Sequence, residues 1–247
     1  MSQVPALPDG IEACLFDLDG VLTETASVHA AAWKRTFDGY LREREGDGFR
    51  PFALPDDYAA HVDGRLRQDG VRAFLASRGI ELPEGTPDDP PEAVTVHGLG
   101  NRKNALVQTL IRSEGVRVFG GSVRFLEAVR ARGVPTALVS ASRNAPAVLA
   151  AAGIDGLFDV RVDGAVAAER GLRGKPAPDT FLAAAADLGV EPARGAVFED
   201  ALSGVEAGRA GGFGWVVGVD RAGHADALRE HGADVVVADL AELLEPA

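Results

Sequence analysis

Two carboxylates stand one residue apart in Asp17-Leu18-Asp19-Gly20, directly after the apolar run Ala13 to Phe16. Side chains alternate along an extended chain, so Asp17 and Asp19 point to the same side, and Gly20 lets the backbone turn away. One acid of such a pair can serve as a nucleophile while its neighbour gives and takes protons. Three further polar sets end later apolar runs or lie in loops near them. They are Ser140 after Leu138-Val139, Lys175 in Gly174-Lys175-Pro176-Ala177-Pro178-Asp179, and Glu199-Asp200 after Ala196-Val197-Phe198. An acid pair, a hydroxyl, an ammonium and a second acid pair make a site for a divalent cation and a phosphoryl group. Hard oxygen ligands suit Mg²⁺, which completes its shell with water and substrate oxygens.

Those residues need a scaffold that brings four distant segments to one edge. Five short apolar runs supply it: Ala13 to Phe16, Thr136 to Val139, Ala196 to Phe198, Trp215 to Val219 and Asp234 to Val237. Continuous apolar strands separated by helical patterns predict a parallel sheet covered on both faces, an α/β design with its ligand edge at the carboxyl ends of the strands. Helices are predicted from Ser122 as N-cap to Gly133, from Asn144 to Gly153, and from Asp179 to Gly189. Between Ala26 and Arg117 the rhythm breaks. Helical periodicity replaces strand runs around Trp33 to Leu41, Tyr58 to Leu66, Val71 to Leu75 and Lys103 to Ile111. This predicts a Rossmann-like doubly wound core of residues 1–25 and 118–247, carrying an inserted helical cap domain, 26–117. Leu82 to Pro91, rich in Pro, Gly and acid, reads as an exposed loop within the cap.

Composition bounds the partners. With 25 Lys and Arg against 37 Asp and Glu, the 247-residue chain carries a formal charge of −12. That field repels phosphate backbones, so nucleic acid is excluded as a partner. A small phosphorylated substrate is compatible with it, because a few local cations and a metal outweigh a distant net charge. No apolar run approaches the ~20 residues that span a bilayer, and MSQVPALPDGIE lacks a basic stretch followed by an apolar one. A monomeric cytoplasmic protein with no membrane partner is expected. Cys14 is the sole cysteine, which excludes an intramolecular disulfide and a thiolate metal cluster. It reads as a small buried apolar residue.

The ordered set of DLDGV, the serine after the second strand, GKPAPD and EDALSGVEAG resembles the four motifs of the haloacid dehalogenase superfamily over nearly the whole chain. Within it, LFDLDGVLTETASVHAAAWK, LVSASRN and KPAPDTFLAAAADLGV are most similar to the β-phosphoglucomutase subgroup. The resemblance implies Asp17 as the nucleophile that becomes an aspartyl phosphate and Asp19 as general acid and base. It implies Mg²⁺ held by Asp17, the Asp19 carbonyl, Glu199 and Asp200, with Ser140 and Lys175 on the transferring phosphoryl oxygens. Thr25 and His29 match the subgroup's hinge region and Lys103, in Arg102-Lys103-Asn104, a cap motif near it. Arg67 matches a cap arginine that grips the phosphate not being transferred, with Ser142, Arg143 and Asn144 in the opposing core loop. Two anion sites suit a bisphosphate intermediate.

One position departs from the subgroup. Asp63 stands where the mutases carry a cap lysine, and an acid there repels phosphate, although Arg65 can compensate. Interconversion of β-glucose 1-phosphate and glucose 6-phosphate is thus one expectation, a sugar-phosphate phosphatase of the same superfamily another, and a phosphosugar-binding module without turnover a third. The intact nucleophile and metal set count against the third. Trp33 and Phe37, spaced i and i+4, read as cap core rather than a sugar platform. Arg221 and His224 read as surface.

Overall fold

The structure, a computed structural model, describes residues 3–246. The chain forms two compact units, one of Met1–Glu24 with Val116–Ala247 and one of Thr25–Gly115. In the first, β1 (Gln3–Pro5) pairs antiparallel with β8 (Leu244–Pro246), apart from a six-stranded parallel sheet. That sheet holds β2 (Ala13–Phe16), β3 (Thr136–Val139), β4 (Val160–Val162), β5 (Gly195–Glu199), β6 (Trp215–Val219) and β7 (Val235–Val237) in the order β4-β3-β2-β5-β6-β7. Counted by appearance in the sheet this is 3-2-1-4-5-6, the doubly wound Rossmann order. The order reverses between β2 and β5, and the crevice beyond that reversal is where such sheets bind ligands.

Six helices connect these strands: α5 (Gly120–Ala131), α6 (Ala145–Ala152), α7 (Gly164–Arg170), α8 (Asp179–Leu188), α9 (Leu202–Ala210) and α10 (Ala225–Glu230). Asn144 occupies the N-cap position of α6, and Gly153 and Gly189 close α6 and α8 in the left-handed conformation. Two sequence expectations need correction. Ser122 is not an N-cap but a buried residue inside α5, whose N-cap position is Phe119. Strand β4 shows no apolar run because it is three residues at the sheet edge, with Arg161 outward.

Both faces of the sheet are covered. On one, Leu15, Val139 and Val197 pack with Phe181 and Ala184 of α8 and Val205 of α9. On the other, Phe16 and Phe198 are register partners on β2 and β5 and stack with ring centroids 4.6 Å apart and planes 10° apart. Phe125 of α5 meets them edge-on at 6.3 and 5.2 Å. Because side chains alternate, the next residues, Asp17 and Glu199, emerge side by side on the α8/α9 face.

The second unit is helical: α1 (Ala26–Glu45), α2 (Asp56–His61), α3 (Arg67–Ser77) and α4 (Val96–Glu114). Its core includes Trp33 stacked on Phe37 at 5.0 Å, with Phe52, Phe74 and Leu99. The helix predicted over Tyr58 to Leu66 stops at His61, because the chain turns through Gly64 at φ +68°. The Leu82 to Pro91 segment has no regular structure and is largely exposed. It is nonetheless held, since the Asn101 amide donates to the carbonyls of Pro87 and Asp89 and Arg102 Nε to that of Pro91. Among the described residues, no helix is long and apolar enough to cross a membrane.

The aromatic stack lies directly beneath the carboxylates. Phe198→Ala should therefore destabilise the chain by about 3–5 kcal/mol through the cavity it leaves, read from urea unfolding at 25 °C. A loss under about 1 kcal/mol would mean that the stack does not hold the two strand ends.

Candidate active site

Asp17 directly follows β2 and Glu199 ends β5, and the Asp17 N–H still donates to the Phe198 carbonyl at 3.0 Å. Two like charges are thereby brought to adjacent strands at the point where strand order reverses. Lys175 answers them. Its Nζ donates to Asp17 Oδ1 at 2.6 Å, to the Val139 carbonyl at 3.1 Å and to Glu199 Oε1, so all three ammonium protons have acceptors. The ammonium is buried and lies 5.0 Å from the centroid of Phe181, six residues along the chain. Phe181 is a neighbour that sequence reading passed over.

Two glycines make room for the acids. A Cβ on Gly20, which sits at φ +94°, would fall 1.8 Å from Asp200 Oδ2. A Cβ on Gly204, in the first turns of α9, would fall 2.0 Å from Glu199 Cδ. The glycines of DLDGV and ALSGVEAG are thus spaces for carboxylates. Asp17, Glu199 and Asp200 each bring one oxygen within 4.8 Å of the others, all three residues being buried. Asp19 is partly exposed two residues past Asp17, its backbone bridged to Thr23.

One ammonium cannot neutralise three buried carboxylates. Burial alone would lower the Lys175 pKa, but the charges of Asp17 and Glu199 outweigh it and hold the ammonium well above its usual value. Glu199 moves up from the ordinary carboxylate range, because burial and the Asp17 charge together exceed the pull of Lys175. A cluster of hard oxygens with excess negative charge in a dry site is the donor set that a divalent cation such as Mg²⁺ fits.

Ser140 follows β3 and is buried, its Oγ accepting from the Ser142 N–H at 3.1 Å. Ser142 Oγ accepts in turn from the Asn144 N–H at 3.1 Å, and Arg143 between them is exposed. Gly164 permits this loop, since a Cβ there would lie 2.5 Å from the Ala141 carbonyl oxygen.

Four of the sequence-predicted positions lie in the helical unit. Thr25 stands at the N-cap position of α1. Lys103 of α4 is buried, donates to His29 Nδ1 at 2.9 Å and lies 4.8 Å from the centroid of the Trp33 ring. Because an ammonium only donates, Nδ1 accepts and the imidazole is neutral. Its pKa is held well below the usual range by burial and by the Lys103 and Arg67 charges. Arg67 opens α3 and donates from Nη2 to Asn104 Oδ1 at 3.0 Å and from Nη1 to Asn101 Oδ1 at 3.5 Å. Both of these acceptors are neutral amides, so these contacts orient the guanidinium without cancelling its charge. Asn101, one turn before Asn104 on α4, carried no signal in the sequence.

The family model for haloacid dehalogenase-like hydrolases matches residues 11–212. The chain belongs to that family. A β-phosphoglucomutase of Mycobacterium bovis is 58% identical over 249 residues, covering 98% of this chain and 95% of the relative. One from Bacillus subtilis is 33% identical, with 94% and 92% covered. The crystal structure of a β-phosphoglucomutase from Clostridium difficile superposes with a TM-score of 0.73 at 27% identity, covering 94% of this chain and 93% of that one. Like other members of the haloacid dehalogenase family, the protein is an enzyme that acts on phosphate groups.

Arg221 and His224 need correction, because neither is merely surface. Arg221 Nε donates to the Gly20 carbonyl at 2.9 Å, and His224 Nε2 lies 3.2 Å from the Asp200 carbonyl.

Removing the shared ammonium should expose the charge imbalance. Lys175→Met leaves buried carboxylates uncompensated and should destabilise the metal-free chain by about 3–5 kcal/mol at pH 8. The sign with pH follows from the raised carboxyl pKa values in that variant. Stability is fully present below the unfolded carboxyl pKa and is lost as pH rises through the higher folded value. Urea unfolding of wild type and variant should therefore give a much smaller difference at pH 5 than at pH 8. An equal difference at both would show that lost packing, not charge, sets the penalty.

Proposed function

We propose that the chain is a Mg²⁺-dependent phosphotransferase acting on sugar phosphates through an aspartyl phosphate at Asp17, with β-glucose 1-phosphate and glucose 6-phosphate as the pair it interconverts. The observation that carries this reading is the Asp17–Lys175–Glu199 triad at the sheet's reversal point, with Asp200 beside it. A carboxylate nucleophile repels an incoming phosphate dianion, so transfer depends on positioned positive charge. Lys175 provides one such charge at Asp17 Oδ1. Asp17, the Asp19 carbonyl, Glu199 and Asp200 would hold Mg²⁺, which when bound supplies the remaining charge neutralisation.

In this reading an Asp17 oxygen forms a bond to phosphorus as the bond from phosphorus to the sugar oxygen breaks. Asp19 protonates the departing sugar oxygen and deprotonates the hydroxyl that later attacks the phosphoenzyme. Ser140 and Lys175 steady the transferring phosphoryl oxygens. Arg67 grips the phosphate not being transferred, Ser142, Arg143 and Asn144 of the core loop bind substrate, and Thr25, His29 and Lys103 are substrate-binding residues of the hinge region. The hydrogen bonds from Arg67 to Asn101 and Asn104 support its role, since they fix the direction of the guanidinium. The choice of glucose phosphates leans on the relatives named above. Every group invoked comes from one chain, so the reading needs no second copy, and it places the enzyme in the cytoplasm with its sugar-phosphate substrates.

Asp63 favours a second reading, a phosphatase that gives the same phosphoenzyme to water. ³¹P NMR of the full chain with β-glucose 1-phosphate, Mg²⁺ and a trace of glucose 1,6-bisphosphate separates the two. Glucose 6-phosphate without inorganic phosphate supports the mutase, and stoichiometric inorganic phosphate the phosphatase. Asp17→Asn should fold normally and trap no labelled phosphoenzyme; surviving label removes Asp17 from the nucleophile role. Arg67→Ala should slow isomerisation by about 10- to 100-fold, the equivalent of roughly 1.5–3 kcal/mol for a charge-assisted contact, and phosphoenzyme hydrolysis far less. Equal loss of both rates would move the phosphatase ahead.

A further inference from the structure

Arg221 follows β6 and belongs to none of the motifs, yet its side chain lies against the start of the site. Nε donates to the Gly20 carbonyl at 2.9 Å. Nη1 donates to the Ala238 carbonyl at 2.6 Å and to Asp239 Oδ2 at 3.2 Å. Nη2 donates to Ser122 Oγ at 3.2 Å and, more weakly, to the Val21 carbonyl at 3.5 Å. The five N–H donors of a guanidinium thus meet five acceptors. The group also lies over the Phe119 ring, its carbon 3.6 Å from the centroid.

The loop that carries Arg221 is itself fixed. Asp220 Oδ1 accepts from the N–H groups of Ala222, Gly223 and His224, at 3.2, 2.7 and 2.9 Å. The same loop sends His224 Nε2 to within 3.2 Å of the Asp200 carbonyl. One short loop therefore holds the turn after Asp19 with one side chain and the backbone of Asp200 with another. Gly20 lies between these two holds, its Cα so close to Asp200 that a Cβ would strike the carboxylate. A shift of the Gly20 peptide is then a shift of the wall against which Asp200 rests.

We propose that the Asp220–His224 loop, acting through Arg221, is a positioning clamp that sets the spacing between the Asp17–Asp19 turn and Asp200, and so the affinity of this acid cluster for Mg²⁺. Arg221 touches no reacting atom. The inference rests on the phosphotransferase reading for its metal. Planarity and five donors explain why arginine stands here: lysine, with three donors on one atom, could keep the charge but not bridge carbonyls on opposite sides.

The test is Mg²⁺ binding by calorimetry on the purified full chain, alongside steady-state kinetics. Groups that orient metal ligands change metal affinity or activity by about 10- to 100-fold when removed. Arg221→Ala and Arg221→Lys should each weaken Mg²⁺ binding by about tenfold and lower kcat, with KM for the sugar phosphate at saturating Mg²⁺ within about twofold of wild type. Arg130→Ala is the structural control. Arg130 bonds Thr136 Oγ1 and the Leu157 carbonyl at the opposite end of the sheet, so its loss should lower Tm and leave Mg²⁺ affinity unchanged. If the Arg221 variants do not fold, His224→Ala decides, since it removes one partly exposed ring and should still weaken Mg²⁺ binding several-fold. Folded Arg221→Lys with wild-type Mg²⁺ affinity, or unchanged affinity in His224→Ala where Arg221 variants do not fold, overturns the clamp while the phosphotransferase reading stands. Wild-type protein that binds no Mg²⁺ overturns both.

Discussion

Carboxylates on two adjacent parallel strands cannot bring their oxygens within 4.8 Å of one another in a dry crevice without a positive group beside them. Here that group is the ammonium of Lys175, which arrives from a loop more than 150 residues after Asp17 and bonds Asp17, Glu199 and the Val139 carbonyl at once. Much else serves this junction. The Phe16–Phe198 stack keeps the strand ends in register from below, Phe181 covers the ammonium, and Gly204 leaves the space that Glu199 fills. The charge is left unbalanced on purpose in the physical sense: adding a second lysine would make a quieter core, but one with no demand for a cation or a phosphoryl group.

The chemistry was legible in the sequence because each of its parts is local. Asp17, Ser140, Lys175 and Glu199-Asp200 each follow an apolar run or sit between Gly and Pro, so short-range rules locate them at strand ends and in a fixed loop. The apolar runs also give away five of the six central strands. Strand β4 escaped because Val-Arg-Val at a sheet edge alternates rather than runs, and Ser122 misled because a serine before an apolar pattern looks like a cap whether or not a helix has already begun. Arg221 lay beyond reach for a different reason. Its acceptors are at positions 20, 21, 122, 238 and 239, and four of the five lie on backbone carbonyls or a small hydroxyl that any sequence could supply. Only Asp239 is a recognisable partner for a cation.

In the helical unit the same economy of charge takes another form. Lys103 is stacked on Trp33 and bonded to a neutral imidazole, and Arg67 is steadied by two amides. The acceptors in these bonds are neutral, although acids outnumber bases by twelve over the chain as a whole. Neutral acceptors of this kind fix the direction of a cationic side chain without adding to the protein's excess of negative charge.

The first unit also closes its own seam. Its outgoing segment and its returning segment are zipped together, Glu24 N–H to the Arg117 carbonyl at 2.9 Å, Phe119 N–H to the Leu22 carbonyl at 2.9 Å, and Thr23 bridged antiparallel to Val118. The entry and exit of the intervening 91 residues, Thr25–Gly115, therefore start from neighbouring positions that the sheet unit already holds. Loop-closure entropy grows only slowly with the length of what is spliced between two such points. The seam behaves as a socket: segments of different length and shape can be plugged into it over evolutionary time or by design, changing what is admitted to the chemistry without asking the sheet to refold around them.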